Sequence, residues 1–407
     1  MIEEIKEGII TKEKLEKYVN EGSVVILKNK EGEEVLGIGK NLKTKINANI
    51  GIGLSSDVEK EIEKGKVAIK YGADTLMDLS ISNFDEIRRE ILKNFDVPIG
   101  TVPIYQAYIE KKGKLSEDHI FNVIEKNLKD GVSFATIHAG ITMDLIKNIK
   151  KFKRYIPITS RGGALIAAYM INNDTENPLY KNFDYILELF KKYDACISLG
   201  DALRPGTILD SNDYAQFGEV INLGKLTKKA REKKVKVIVE GPGHIPLNEI
   251  ESSIKITKKI CDNAPLYTLG PLPTDIALGY DHIASAIGGA IGVMYGVDFL
   301  CYVTPSEHYS LPDIEDVKQG VIAAKIAAYV GDIVKLGNFN REKEMTIARR
   351  NLDWDKIFEL GIDKNLKKPE NLKNKNPCTM CGEYCALKIV EKFFDKNDEN
   401  SFNDRWK

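Results

Sequence analysis

From about residue 45 the chain repeats one pattern: a short apolar run, a turn, then a charged segment with apolar residues at helical spacing. Nine apolar runs stand out: KINANIGIG, ADTLMDLS, VPIGTVPIY, FATIHAG, PITSRGG, ACISLGD, VKVIVEGPG, APLYTLGP and DFLCYVTP. The segments between them, such as SSDVEKEIEKGKVAIKYG and DHIFNVIEKNLKDG, have the period of helices with one apolar face. Near-continuous apolar strands alternating with helices predict a parallel sheet covered on both faces. Nine runs for eight positions fit an α/β fold of the (β/α)8 TIM-barrel type with one run surplus. An open doubly wound sheet is the alternative.

The flanks break this alternation. Residues 1–45 read as a small α+β unit. TKEKLEKYVNEG predicts a helix with Thr11 as N-cap and Gly22 as stop, and SVVILKNKEGEEVLGIG a hairpin around a polar turn. Residues 46–312 carry the alternation and form the expected catalytic barrel. Residues 313–363 read as C-terminal helices: LPDIEDVKQGVIAAKIAAYVGDIVKLG is amphipathic, and NREKEMTIARRNLDWDKIFELGI supplies one or two more. In residues 364–407, DKNLKKPENLKNKNP is a polar, mobile linker that precedes a cysteine-bearing tail.

Composition narrows the function classes. A net charge of −1 over 407 residues argues against a general polyanion binder, so no nucleic-acid partner is expected and anion recognition should be local. The least charged long run, HIASAIGGAIGVMYGVDFLCYV, is interrupted by Asp298 and reads as a buried helix feeding a strand, not a membrane span. The start of the chain is charged and amphipathic without an apolar leader, which makes a cytoplasmic protein the expectation. Six cysteines in a reducing compartment then read as thiols, catalysts or metal ligands.

The apolar runs end in polar residues: Asn49, Asp78, Tyr105, His138, Ser160 with Arg161, Asp201, Glu240 with His244, Tyr267, and Glu307 with His308. In a barrel these ends share one face, the face that carries active sites. Polar loops also cap helices and meet water, so one such position alone means little. EGPGHIP is rigid, with a proline between two glycines, and fixes Glu240 and His244; TPSEHYSLP does the same for His308. Of five histidines, His119 in SEDHIF reads as a surface residue and the others lie near strand ends. Two imidazoles with water or substrate can form an open divalent-metal site; hydrogen bonding to a loop is the plainer role. SRGG and DALRPG place an arginine beside exposed backbone N–H groups, as a phosphorylated substrate would require, although ordinary turns also explain such glycines. Asp78, Asp201, Glu240, Asp275 and Asp281 are carboxylates available as general acids or bases or as helix caps.

The tail segment NPCTMCGEYCALKIV holds Cys378, Cys381 and Cys385. Cys196, Cys261 and Cys301 sit in apolar runs and read as core. Three thiols are one short of a zinc site, and no thioredoxin-like unit surrounds the CxxC. On an iron–sulfur cluster they would leave one iron without a protein ligand, free for a small molecule. The thiols alone leave zinc, redox and cluster roles open.

Taken in order, NANIG, GADTLMDLS, VPIGTVPIYQA, TIHAG, SRGG, DALRPG, VEGPGHIP, YTLGPLPTDIALGYDHI, CYVTPSEH and the cysteine tail resemble the phosphomethylpyrimidine synthase family over about residues 45–390. The resemblance implies a radical S-adenosylmethionine lyase: a (β/α)8 barrel with a small N-terminal domain and a C-terminal helical domain with a cluster-bearing tail. It implies a homodimer in which one subunit's tail reaches the other's barrel, and an electron donor such as flavodoxin or ferredoxin. Cys378, Cys381 and Cys385 would hold a [4Fe-4S] cluster whose fourth iron binds S-adenosylmethionine. The implied reaction turns 5-aminoimidazole ribotide into 4-amino-5-hydroxymethyl-2-methylpyrimidine phosphate for thiamine biosynthesis, with formate, carbon monoxide, 5′-deoxyadenosine and methionine. Implied substrate contacts are Asn49, Met77, Tyr105, His138, Ser160, Arg161, Gly162, Asp201, Ala202, Leu203, Arg204, Glu240 and Tyr267. Asp201 and Glu240 are the implied proton-transfer residues, and His244 and His308 an implied Zn2+ site.

The sequence departs from the family in places. The cysteines read CxxCxxxC where long members have CxxCxxxxC. Ala202 stands where Gly is usual, Ala164 where Ser is common, and Pro273 and Leu278 where Thr and Pro are common. No acid, base or ligand is lost. The departures bear on the product, because the related 5-hydroxybenzimidazole synthase uses the same ribotide and radical chemistry. A non-catalytic zinc-binding barrel is the alternative of another class.

Overall fold

The computed structural model describes residues 2–53, 57–391 and 393. Its contacts divide the chain into two compact units, Met1–Lys335 and Leu336–Lys407. The first opens with helix Lys12–Asn20, whose N-cap Thr11 accepts from the Lys14 N–H at 3.4 Å. An antiparallel hairpin of β1 (Val24–Lys28) and β2 (Glu34–Gly39) follows. Ile2, Ile10, Leu15, Val24 and Leu42 give this part its own small core.

Eight parallel strands then close into a barrel: β3 (Lys45–Ile50), β4 (Thr75–Asp78), β5 (Ile99–Thr101), β6 (Phe134–Ile137), β7 (Cys196–Leu199), β8 (Val237–Gly241), β9 (Leu266–Leu269) and β10 (Phe299–Cys301). They pair in chain order, and β10 lies between β9 and β3. The open-sheet alternative is excluded by this closure. The interior is filled by side chains: Phe134 of β6 meets Phe299 of β10, four places away around the ring, at a centroid distance of 6.2 Å. Phe299 also stacks on Tyr267 at 4.3 Å. Gly100 makes room for this, since a Cβ there would lie 2.4 Å from the Phe134 ring. The barrel is therefore a packed core with a floor, above which ligands can bind.

The surplus run is PITSRGG. Residues 157–160 join no sheet, and Pro157 and Thr159 are exposed where a barrel strand is buried on both faces. Proline also removes a ladder donor. The stretch instead leads into helix Arg161–Asn173, with Ser160 as its N-cap. SRGG thus opens a helix without following a strand. The glycine-rich run over 281–301 forms helix Asp281–Tyr295 and then β10, as its pattern predicts. Among the described residues no helix is long and apolar enough to cross a membrane.

Helix Ile314–Leu336 closes the first unit. The second unit contains helices Asn340–Arg350, Trp354–Leu360 and Ala386–Glu391. The polar stretch between the last two has no helix or strand up to a short turn at Gly382–Tyr384. Its end is tied back locally: Trp354 Nε1 donates to Asn376 O at 2.8 Å and the Lys375 N–H to Leu352 O at 2.9 Å. The last part of the expected tail, 394–407, lies outside the described residues.

Candidate active site

Strand register sets the first group of side chains. Asn49 pairs with Met77, and Glu240 pairs with Tyr267. Asn47 Nδ2 lies 2.9 Å from both Asn49 Oδ1 and Tyr267 OH, while Asn47 Oδ1 accepts from Thr75 Oγ1 at 2.8 Å. Asn49 Nδ2 donates to Cys301 Sγ at 3.2 Å. Burial, followed by the Cys301 neighbour, pushes the Tyr267 hydroxyl well above its ordinary range. Met77 is buried beside this network. Asn47 was not singled out from sequence, and Cys301, read there as core, is indeed buried. Asn47 shares the face of Asn49 by strand alternation, and the pairing of Cys301 with Asn47 brings the thiol to the same side. Asp78 is spent locally, accepting from the Ser80 N–H at 2.9 Å.

The second group lies beyond β6, β7 and β8. Ser160 Oγ is 3.2 Å from His138 Nε2 and accepts from the Gly163 N–H at 3.2 Å. The Arg161 guanidinium stands over the Tyr105 ring at 5.0 Å, and Tyr105 lies in helix Pro103–Glu110, directly after β5. Arg204 Nη1 donates to Asp201 Oδ1 at 2.7 Å. Burial raises the Asp201 carboxyl to about 7; Arg204 opposes the rise and Glu240 adds to it. Glu240 Oε1 accepts from Thr136 Oγ1 at 2.9 Å and Ser198 Oγ at 2.7 Å, so two neighbouring strands aim it. Burial also raises the Tyr105 hydroxyl, which feels the charges of Arg161, Arg204, Glu240 and Asp201. These residues share one polar chamber holding two guanidiniums and two carboxyl groups.

The loop carrying Asp201 and Arg204 is held from behind. Glu219, in helix Tyr214–Glu232, accepts the Ala202 N–H at 3.0 Å and the Leu203 N–H at 2.6 Å. Arg154 Nη2 donates to Leu203 O at 2.8 Å. Ala202 and Leu203 are both fully buried, and their N–H groups are already used. Direct contacts from this loop therefore fall to Asp201 and Arg204. Glu219 and Arg154 were missed from sequence: a glutamate in a long helix reads as solvent-facing, and Arg154 lies in a loop with no motif.

His244 and His308 come together with ring centroids 5.3 Å apart. His244 Nδ1 is 2.7 Å from Asp275 Oδ1, and His308 Nδ1 is 3.0 Å from Asp281 Oδ1. Asp275 is fixed in turn by the Thr207 hydroxyl at 2.6 Å. Burial lowers His244, which favours the neutral ring that binds metals. Carboxylates on both Nδ1 atoms leave both Nε2 atoms available, the arrangement of metal-bound histidines with carboxylate partners. The donor set fits a divalent ion with open positions. His119 differs from its expected surface placement: it is half-buried and its Nε2 is 3.2 Å from Glu110 Oε2.

In the second unit, Cys378 is half-buried, Cys381 exposed and Cys385 buried. Backbone N–H groups of Cys381 and then Met380 point at the Cys378 sulfur and lower its pKa. The Gly382 N–H donates to Cys378 O at 3.0 Å, curling the loop around that thiol. Amide groups turned toward a thiolate suit a cluster ligand. Among the described residues no group of three or more His, Cys, Asp or Glu side chains is gathered as a ready metal cage.

Known proteins resemble the chain over most of its length. A profile described as the Radical SAM ThiC family matches residues 1–392. A phosphomethylpyrimidine synthase of Methanocaldococcus jannaschii is 50% identical over 420 residues, spanning 96% of this chain and 98% of that protein. Enzymes of the same name from Pyrococcus abyssi and Archaeoglobus fulgidus are each 48% identical over 423 residues. The alignments span 97% of this chain and 98% of the first enzyme, and 98% of this chain and 100% of the second.

Proposed function

The chain belongs to the Radical SAM ThiC family and is a radical S-adenosylmethionine enzyme, and on that premise we propose that it converts 5-aminoimidazole ribotide to 4-amino-5-hydroxymethyl-2-methylpyrimidine phosphate in thiamine biosynthesis. Formate, carbon monoxide, 5′-deoxyadenosine and methionine are the other proposed products. The observation that carries this reading is the chamber of Arg161, Arg204, Asp201, Glu240 and Tyr105. It combines an anion clamp with a carboxyl group that titrates near neutrality.

Arg161, at a helix N-terminus, and Arg204 hold the phosphate. Asn49, Met77, Tyr105, His138, Tyr267 and Glu240 surround the rest of the ribotide. Ser160 and Gly162 shape the approach, and Ala202 and Leu203 give the binding loop its form. Asp201 moves a proton, since its carboxyl is poised at about 7. Glu240, aimed by two hydroxyl groups, orients the substrate.

When bound, a [4Fe-4S] cluster and S-adenosylmethionine supply a 5′-deoxyadenosyl radical. Cys378, Cys381 and Cys385 would hold that cluster, and His244 with His308 a zinc or similar ion. In the proposed organisation, 1–45 is an accessory unit, 46–312 the substrate-binding barrel, 313–363 helical, and 364–407 the cluster tail. An electron donor of the flavodoxin or ferredoxin type and a homodimer complete the reading. Exposed Ile276, Leu278, Tyr280, Ile283 and Ile287 support the dimer.

The test is anaerobic reconstitution with iron and sulfide, followed by reductant, S-adenosylmethionine and the ribotide. We expect 5′-deoxyadenosine to form in proportion to ribotide consumed. A protein that binds no cluster, or that leaves S-adenosylmethionine intact, would refute the proposal.

A further inference from the structure

His138 is held more tightly than a ligand contact alone requires. The ring is almost fully buried just past β6. Two glycines form its slot. A Cβ on Gly162 would lie 2.1 Å from His138 Cε1, and one on Gly200 would lie 2.8 Å from Cδ2. Any side chain at either position would displace the ring, so both glycines are needed for close approach. The ring cannot turn freely, and its two nitrogens keep separate environments.

Those environments differ. Nε2 faces the Ser160 hydroxyl at 3.2 Å. Nδ1 is buried and has no hydrogen-bond partner among the described residues. The Ser160 oxygen already accepts from the Gly163 N–H at 3.2 Å, a bond set by its place as helix N-cap. Among the described residues the only acceptor that remains for the hydroxyl proton is His138 Nε2.

Two neutral tautomers can be compared by counting unmet groups. With the proton on Nε2, the ring donates to Ser160, the serine proton has no acceptor, and Nδ1 is an unmet acceptor. With the proton on Nδ1, the serine donates to Nε2 and a single group stays unmet, the Nδ1–H donor. An unmet buried polar group costs on the order of 1–3 kcal/mol, so the second arrangement is preferred. A charged ring is disfavoured by burial and then by the Arg204 charge, which together lower the group to about 3.

We infer that His138 presents a neutral Nδ1–H donor to a hydrogen-bond acceptor of the bound substrate, and that the Ser160 hydroxyl, a positioning group, fixes this tautomer. The inference deepens the proposed ribotide reading and rests on it for the acceptor's identity: an unprotonated ring nitrogen or a ribose oxygen. The tautomer itself stands on the protein alone. It also gives Ser160 a role distinct from direct substrate contact.

The experiment is nitrogen NMR of the full chain labelled with 15N-histidine, with His138 assigned by loss of its signals in His138→Gln. We expect one neutral ring protonated on Nδ1 from pH 5 to 8. A ring protonated on Nε2, or a charged ring at pH 7, overturns the inference. In Ser160→Ala we expect a mixture of tautomers, and KM for the ribotide raised about tenfold with a smaller change in kcat. A serine that only caps its helix would leave the tautomer untouched, and that result would overturn the positioning role. Ribotide that binds without shifting the Nδ1 signal overturns the donor role. Ribotide that fails to bind at all counts against the functional reading instead, while the tautomer is still decided by the wild-type spectrum.

Discussion

The barrel mouth and the cysteine loop are built in opposite ways. In the mouth, nearly every polar side chain has a second partner that fixes it. Glu240 has Thr136 and Ser198, Asp201 has Arg204, and the two histidines have Asp275 and Asp281. In the loop, Cys378 receives directed amides, Cys381 is exposed and Cys385 is buried. Prearranged groups bind and orient at little further cost in entropy. Ligands that are not prearranged are gathered by what they bind, so in the proposed cluster loop binding and ordering would be one event. On the proposed function, the difference would separate substrate positioning, fixed by folding, from cluster assembly, added later.

The largest expected effect comes from the loop. Cys385→Ala should reduce S-adenosylmethionine cleavage to background while leaving the barrel's denaturant unfolding unchanged; retained cleavage would break the three-thiol assignment. Next is Arg204→Ala, which leaves Asp201 buried without its counter-charge. Loss of about 3 kcal/mol, or roughly a hundredfold in kcat/KM, is expected. The ionisation near 7 should move upward, because Arg204 holds it down. Asp275→Asn should weaken divalent-metal binding by about ten- to a hundredfold in a competition titration, since His244 loses the carboxylate behind it. An unchanged metal affinity would show that the pair is not a metal site.

Two smaller effects sharpen the contrast in stability. Glu219→Ala strips two buried N–H groups of their acceptor and should destabilise the first unit by about 2 kcal/mol by urea titration, with KM for the ribotide raised. No comparable loss is expected from Cys381→Ala. Asp201 supplies the pH signature. Its folded pKa of about 7 lies above the ordinary 3.8, so between those values the folded chain keeps a proton that the unfolded chain has released. Stability therefore falls as pH rises through that window, and Asp201→Asn should flatten the slope.

Much of the barrel was legible because a parallel strand buried on both faces leaves an unbroken apolar run. The same rule misled at PITSRGG, where an exposed approach to a helix N-cap imitates a short strand. Strand-end residues were legible because barrel topology sends them to one face. Partners that come from elsewhere were not. Glu219 reaches the Asp201 loop from a helix, and Asp275 and Asp281 could have been caps until their contacts with the two histidines appeared. Sequence spacing records which residues are near in the chain, whereas these pairs are near only after the barrel closes.

The most direct test is product analysis after a single anaerobic turnover of the reconstituted protein with ribotide and S-adenosylmethionine. We expect 4-amino-5-hydroxymethyl-2-methylpyrimidine phosphate together with 5′-deoxyadenosine. Formation of 5-hydroxybenzimidazole without the pyrimidine phosphate would contradict that expectation.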